Sequence, residues 1–177
     1  MTKQNWLYWH KSVNVDEILE AASKADVEEA TTFSGLNTEH RKSKVSWMTG
    51  NIGVLNLLWP YVAQAGEVMG VDVTPKSEIQ YTEYHGSEEG RYDWHHDIDW
   101  NWDGNEDRKL SVTIQLSDPN DYEGGHFEFA EVEQPDAESR DKGTVLVFPS
   151  YLQHRVAPVT SGVRKSLVAW FHGPNWR

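Results

Sequence analysis

The chain has no cysteine, so neither a disulfide framework nor a zinc–thiolate site is open to it, and any metal must be held by histidines and carboxylates. That composition is compatible with a reducing cytoplasm, where the protein is expected to work. Positive charge is scarce: 16 Lys and Arg stand against 28 Asp and Glu, a formal charge of −12. The balance opposes non-specific attachment to a phosphate backbone, so nucleic acid is not an expected partner. No stretch approaches the roughly 20 apolar residues of a membrane-spanning helix, so no membrane partner is expected. Met1 to Ser12 carries Lys3 and Lys11 but no apolar run, which argues against a signal peptide. Repeats and low-complexity linkers are missing too. The length of 177 residues suits a single domain over 1–177 that buries its own core. Nine Trp are present, and aromatic residues serve cores and pockets more often than they stack ligands.

The first eighty residues read as support. Asn5 to His10 alternates large side chains and predicts a short strand. Asn14 is placed as the N-cap of a helix over about 15–24, whose Val15, Ile18, Leu19 and Ala22 form one apolar stripe. Thr31 to Phe33 and Val45 to Met48 are strand candidates, with a polar, partly basic turn over 35–42 between them. Pro60 near a start and Gly70 past an end predict a second helix with Val62, Ala65 and Met69 inward. An earlier start, through Leu55 and Leu58, would need a kink at Pro60.

From Ile79 the apolar period becomes two, which predicts a β-sandwich or barrel. Its strands are read over 79–84, 94–97, 110–116, 126–129, 144–148, 154–156 and 165–171, with turns at Gly86, Asp118-Pro119, Gly124-Gly125, Gln134-Pro135 and 158–162. Within this half stands His95-x-Asp97. On a strand, residues i and i+2 share a face, so an imidazole nitrogen and a carboxylate oxygen can meet at one point. One histidine from a facing strand would complete a 2-His-1-carboxylate triad with open positions for non-haem iron. His154 is the candidate, read at the mouth of a hairpin whose second arm carries Arg164, Ser166, Val168 and Trp170 on one face. An arginine pointing into a barrel needs a partner, and a dicarboxylate ligand suits its fork.

Taken in order, Tyr84 with Gly86, Tyr92-x-x-His95-x-Asp97, the strand from Leu110 to Leu116 leading into Asp118-Pro119 and Gly124-Gly125, Phe148-Pro149, His154, Pro158, Gly162, Arg164, Ser166 and Trp170 resemble the Fe(II)- and 2-oxoglutarate-dependent dioxygenases. The similarity is to their prolyl 4-hydroxylase-like branch, over about Gln80 to Phe171. It implies a mainly β (α+β) fold, a double-stranded β-helix of the jelly-roll, cupin-like kind, with a core over 79–172 buttressed by N-terminal helices in 1–78. It implies Fe(II), 2-oxoglutarate and O2, with His95, Asp97 and His154 on the metal and Arg164 on the distal carboxylate of 2-oxoglutarate. Tyr84, Thr113 or Gln115, and Ser166 would help hold that cosubstrate, with Trp170 lining the pocket floor. Some prolyl hydroxylases have a tyrosine where this chain has Gln115. The implied reaction hydroxylates an unactivated C–H of a peptidyl or free amino-acid substrate, and the branch brings L-ascorbic acid with it.

Substrate contacts are less determined. Strict alternation turns Tyr92 and Trp94 away from His95, so a substrate role for Tyr92 requires a bulge, and Trp94 reads as packing. His96 likewise alternates away from His95 and reads as a residue behind the metal ligands or at the surface. Asp99 to Gly104 imitates the start of a calcium loop, but Leu110 stands where the bidentate Glu belongs. It reads instead as an acidic loop whose Trp100 and Trp102 are candidate substrate contacts. Two other functions are compatible with the same residues: oxidative demethylation of nucleic acid, opposed by the charge, and a jelly-roll module that binds metal without turnover.

Overall fold

Period-two alternation in the C-terminal half closes into two facing antiparallel sheets in the computed structural model, which describes residues 5–177; the first four residues of the stretch read above as lacking a leader lie outside the described residues. In chain order the elements are β1 (Leu7–Trp9), α1 (Val15–Ser23), β2 (Glu28–Glu29), β3 (Arg41–Lys42), β4 (Lys44–Trp47), α2 (Ile52–Met69), β5 (Ser77–His85), β6 (Arg91–His95), β7 (Glu106–Gln115), β8 (Tyr122–Gly124), β9 (Phe127–Phe129), β10 (Val145–Pro149), β11 (His154–Val156) and β12 (Val159–Pro174). The larger sheet runs β1-β10-β7-β12-β5-β4-β2 with β8 beside β12, and the smaller runs β3-β6-β11-β9. The fold is the expected mainly β jelly-roll with helices outside it.

The alternation of β7 and β12 assigns the two faces of the large sheet. Leu110, Val112, Ile114, Leu167, Ala169 and Phe171 point outward and are buried under Val15, Ile18, Leu58, Val62 and Ala65 of the two helices. Each such side chain contributes about 1.5–3 kcal/mol on full burial, so the helices are held by area rather than by polar contacts. The opposite face of the same strands carries Thr113, Arg164, Ser166, Val168 and Trp170, which line a pocket between the sheets. Asn14 caps α1 by accepting from the Asp16 N–H, and Asn51 caps α2 by accepting from the Val54 N–H.

Four expectations need correction. α2 starts at Ile52, with Pro60 inside it: the Asn51 cap sets the start, and the packing of Val54 and Leu58 outweighs the backbone hydrogen bond that proline cannot make. Thr31 to Phe33 forms no strand; a single bridge joins Thr32 to Gly35, and Phe33 is left exposed. β6 begins at Arg91 and stops at His95, so Asp97 lies beyond the strand, its N–H donating to the Ser150 carbonyl at 3.0 Å. Finally, β11 and β12 are not one hairpin. β11 pairs with β6 and β9 in the small sheet, β12 with β5 and β7 in the large one, and the chain crosses between sheets at Ala157-Pro158. The glycine taken for a turn, Gly162, has φ +70 and passes so close to Asp121 that a Cβ would lie 2.0 Å from its carbonyl oxygen.

Candidate metal centre and its pocket

Three ligand-type side chains from different parts of the barrel converge: donor atoms of His95, Asp97 and His154 all lie within 4.8 Å of one another. β6 and β11 run side by side with His95 opposite His154, which brings the two rings to 4.3 Å between centroids. Asp97 reaches the same point from the loop after β6. Its Oδ1 is 3.4 Å from His95 Nε2 and its Oδ2 is 3.3 Å from His154 Nε2.

The tautomers are set from behind. His95 Nδ1 donates to the Asp93 carbonyl at 2.7 Å, and His154 Nδ1 to the Leu152 carbonyl at 2.8 Å. Both Nε2 lone pairs are therefore free to face Asp97. The carboxylate is held in turn by Ser111, whose Oγ donates to Oδ2 at 2.7 Å and lies 2.9 Å from Ser150 Oγ.

Electrostatically the three groups are coupled. Burial would raise Asp97, but the charge and hydrogen bonds of His154 and His95 outweigh it and hold its pKa well below the usual range. Burial, and then the charge on His154, push His95 down to about 4. For His154 burial alone would lower the pKa, yet the charge and hydrogen bond of Asp97 raise it. A divalent ion satisfies this carboxylate with both imidazoles neutral. Two donors on one ion with bonds of about 2.1 Å at right angles sit roughly 3.0 Å apart, close to the observed edges. The donor set fits a metal with open positions.

Arg164 stands in the same pocket, 1 % exposed. Its Nη2 donates to Gln115 Oε1 at 3.1 Å, its Nη1 to Ser166 Oγ at 3.5 Å, and the Tyr84 ring lies 5.5 Å away. Among the described residues it has no carboxylate partner, which leaves a buried cation to be paired by a ligand. Thr113, Ser166 and Trp170 line the pocket with it, and the Nε1–H of Trp170 is buried without an acceptor. Gln115 contacts Arg164 but faces a different cavity, behind the guanidinium.

The substrate-side residues fall differently from strict alternation. The register of β6 against β11 shifts between His154–His95 and Val156–Tyr92. This bulge turns Tyr92 to the metal side, where its ring stacks on His95 at 3.4 Å and 8°. Burial pushes the Tyr92 hydroxyl up to about 12. Trp94 points the other way, under Arg155. His96 is half-buried and lines an adjoining cavity with Phe33, Trp47 and Trp170. Trp102 borders a neighbouring cavity with Phe33, and Trp100 and Trp102 are both largely exposed.

Sequence reasoning missed Arg41, Gln80 and Arg108. Arg41, taken as part of a polar turn, is buried at the pocket wall; it donates to Gln80 Oε1, the Thr31 carbonyl and Ser43 Oγ, and lies 4.3 Å over the Tyr92 ring. Arg108 bonds Glu78 and the Asp97 carbonyl and stacks on Trp170. Ser111 was legible in principle, since it precedes Thr113 and Gln115 on the inward face of β7.

The sequence model of the 2OG-Fe(II) oxygenase superfamily matches residues 79–172. Among curated relatives, the chain is 39% identical over 82 residues to a PKHD-type hydroxylase of Synechococcus sp. (strain CC9311), covering 46% of this chain and 36% of the relative. It is 45% identical over 64 residues to a PKHD-type hydroxylase of Parvibaculum lavamentivorans, covering 34% and 28%. The chain thus spans about a third of the length of the curated relatives it matches. Among solved structures, a Pseudomonas putida prolyl-4-hydroxylase superposes with a TM-score of 0.71 at 20% identity, covering 96% of this chain and 93% of the other. A prolyl hydroxylase of Trichoplax adhaerens, in complex with a hypoxia inducible factor oxygen degradation domain peptide fragment, superposes with a TM-score of 0.71 at 18% identity, covering 96% and 84%. These structural likenesses concern the fold.

Proposed function

Because the chain belongs to the 2OG-Fe(II) oxygenase superfamily, we propose that it is an Fe(II)- and 2-oxoglutarate-dependent hydroxylase, a single catalytic domain acting on an unactivated C–H of a prolyl residue in a peptide. The observation that carries the reading is the pairing, in one pocket, of the His95–Asp97–His154 donor set with a buried arginine lacking a carboxylate partner. Bound Fe(II) with 2-oxoglutarate and O2 supplies the oxidative decarboxylation, to succinate and CO2, that drives hydroxylation.

The chain's own residues bind, orient and exclude water. His95, Asp97 and His154 hold the metal through atoms whose direction is set by the Asp93 and Leu152 carbonyls and by Ser111. Arg164 receives the far carboxylate of the cosubstrate in a bidentate fork, with Gln115 and Ser166 keeping the guanidinium in its plane. Tyr84 and Thr113 wall that end, with Trp170, whose Nε1–H is buried and unpartnered, also lining the pocket.

A peptide substrate is supported by the shape of the mouth. Phe33 and Trp47 are exposed aromatic side chains there, able to pack on a saturated ring, while Tyr92 and Trp170 are already covered by Arg41, His95 and Arg108. A free amino acid is the competing substrate within the same reading. The branch's association with ascorbate, and a cytoplasmic site of action, belong to this proposal; of the described helices, none is long and apolar enough to cross a membrane.

Anaerobic titration of Fe(II)-loaded protein with 2-oxoglutarate tests the reading. A visible charge-transfer band is expected in wild type and not in His154→Ala. Succinate release on adding proline-containing peptides, and not free proline, supports the peptide substrate, and its dependence on ascorbate is read in the same assay. Bound iron without a band refutes the cosubstrate role.

A further inference from the structure

Behind Arg164, on the side away from the metal, lies a second cavity of about 340 Å³. It is bounded by the turn between β8 and β9, the segment 134–140 and the end of β7. Arg164 borders both spaces, because the glycine at 125 lets its side chain pass: a Cβ there would stand 3.0 Å from Arg164 Cδ. The outer part of the cavity is cationic. Arg140 donates to the Gly124 carbonyl at 3.1 Å with one Nη and presses the other against the His126 ring.

Among the described residues neither guanidinium forms an ion pair. Arg108 and Arg155 sit on carboxylates at 2.8 and 2.6 Å, whereas Arg140 and Arg164 have no such partner among the described residues. Of the two acids that border the cavity, Glu128 holds Arg155, and Asp136 forms no ion pair with either guanidinium. Burial, and then the charge of Arg140, lower the pKa of His126, so the ring stays neutral beside an unmatched cation. An anion here would match the guanidinium and let the ring take up a proton.

We propose that this cavity is a second anion site, binding a small dicarboxylate with one carboxylate on Arg140 and His126 and the other directed toward Arg164. The geometry favours a dicarboxylate over a tetrahedral anion, since two planar guanidinium groups, Arg140 and Arg164, border one space. The site needs no metal and shares Arg164 with the cosubstrate pocket, so the proposal is read at Arg140 and His126, which line this cavity and not that pocket.

The test is a titration of metal-free, isotope-labelled full chain with succinate, following the His126 ring and Arg140 guanidinium signals by NMR. Saturable movement of both is expected, with the His126 pKa rising in the succinate-bound protein. Arg140→Gln should weaken succinate binding about tenfold or more, the loss expected for a charged hydrogen-bonding group, and Arg140→Lys should fall between. A succinate molecule on the metal side of Arg164 would not need Arg140, so equal binding by Arg140→Gln overturns the proposal. So does an unmoved His126 in wild type, or an equal response to inorganic phosphate at the same concentration. Should Arg140→Gln not fold, Arg140→Lys and the wild-type arms still decide.

Discussion

Replacing Arg164 by methionine should stabilise the ligand-free protein. The guanidinium is 1 % exposed and bonds only modestly, at 3.1 Å to Gln115 and 3.5 Å to Ser166. Burying an ion costs several kcal/mol after relaxation, while hydrogen bonds from a charged donor return about 1.5–3 kcal/mol each, the 3.5 Å one least. The residue therefore leaves the empty fold less stable by on the order of 1–3 kcal/mol. Methionine fills a similar stem volume and carries no charge; the Gln115 oxygen it orphans takes back part of the gain. The expected rise in Tm is about 2–4 °C per kcal/mol for a domain of this size. 2-Oxoglutarate reverses the order. At a hundred times its dissociation constant it stabilises wild type by about 2.7 kcal/mol and Arg164→Met not at all. Thermal unfolding of both proteins, metal-loaded under argon, with and without 2-oxoglutarate, reads the crossover directly. A variant less stable than wild type by more than about 1 kcal/mol without ligand would show that the cation is not a liability in the empty pocket. A variant that keeps the ligand-induced shift would refute Arg164 as the carboxylate anchor.

Other perturbations read other parts of the structure. Ser111→Ala removes the donor to Asp97 Oδ2 and should weaken divalent-metal binding about 10–100-fold, measured by Co(II) titration; unchanged affinity would show that the carboxylate is oriented without it. Glu78 gives a pH signature. Burial raises its pKa, but the hydrogen bonds from His172 and Arg108 prevail and lower it from 4.5 to about 2. The folded value lies below the unfolded one, so its contribution is complete above pH 4.5 and is lost as pH falls toward about 2. Because its side chain is 37% exposed, screening limits the effect to about 1 kcal/mol or less. Glu78→Gln should flatten the stability profile in that window and nowhere above it, as acid titration of urea midpoints will report. Gly162→Ala would place a Cβ 2.0 Å from the Asp121 carbonyl at φ +70 and should cost more than about 2 kcal/mol; a smaller shift in the urea midpoint would mean that β8 can move aside.

What the sequence reveals depends on how long each element keeps its period. β7 and β12 are long, 10 and 16 residues, and β12 keeps an unbroken register from Val163 to Phe171, so the inward row of Arg164, Ser166, Val168 and Trp170 is readable from spacing alone. The metal strand keeps it for too few residues. His95 and Asp97 do meet, yet by a different route from the shared strand face: a bulge turns Tyr92 inward with His95, and Asp97 returns from a loop tied to Ser150. Spacing of two was thus a correct pointer with the wrong geometry behind it. Arg41 left no local mark, because β3 has only two residues, too few for a period, and its place at the pocket wall comes from pairing with Tyr92 and Arg91 far along the chain. The crossing between β11 and β12 was hidden by Pro158 and Gly162, which read as a turn. Proline and glycine mark wherever a backbone needs unusual freedom or has none, and at Gly162 that need comes from the neighbouring β8 strand rather than from a reversal. Non-local contacts of this kind are what short strands consist of, so the centre of the barrel can be read from its long strands while its rim must be seen.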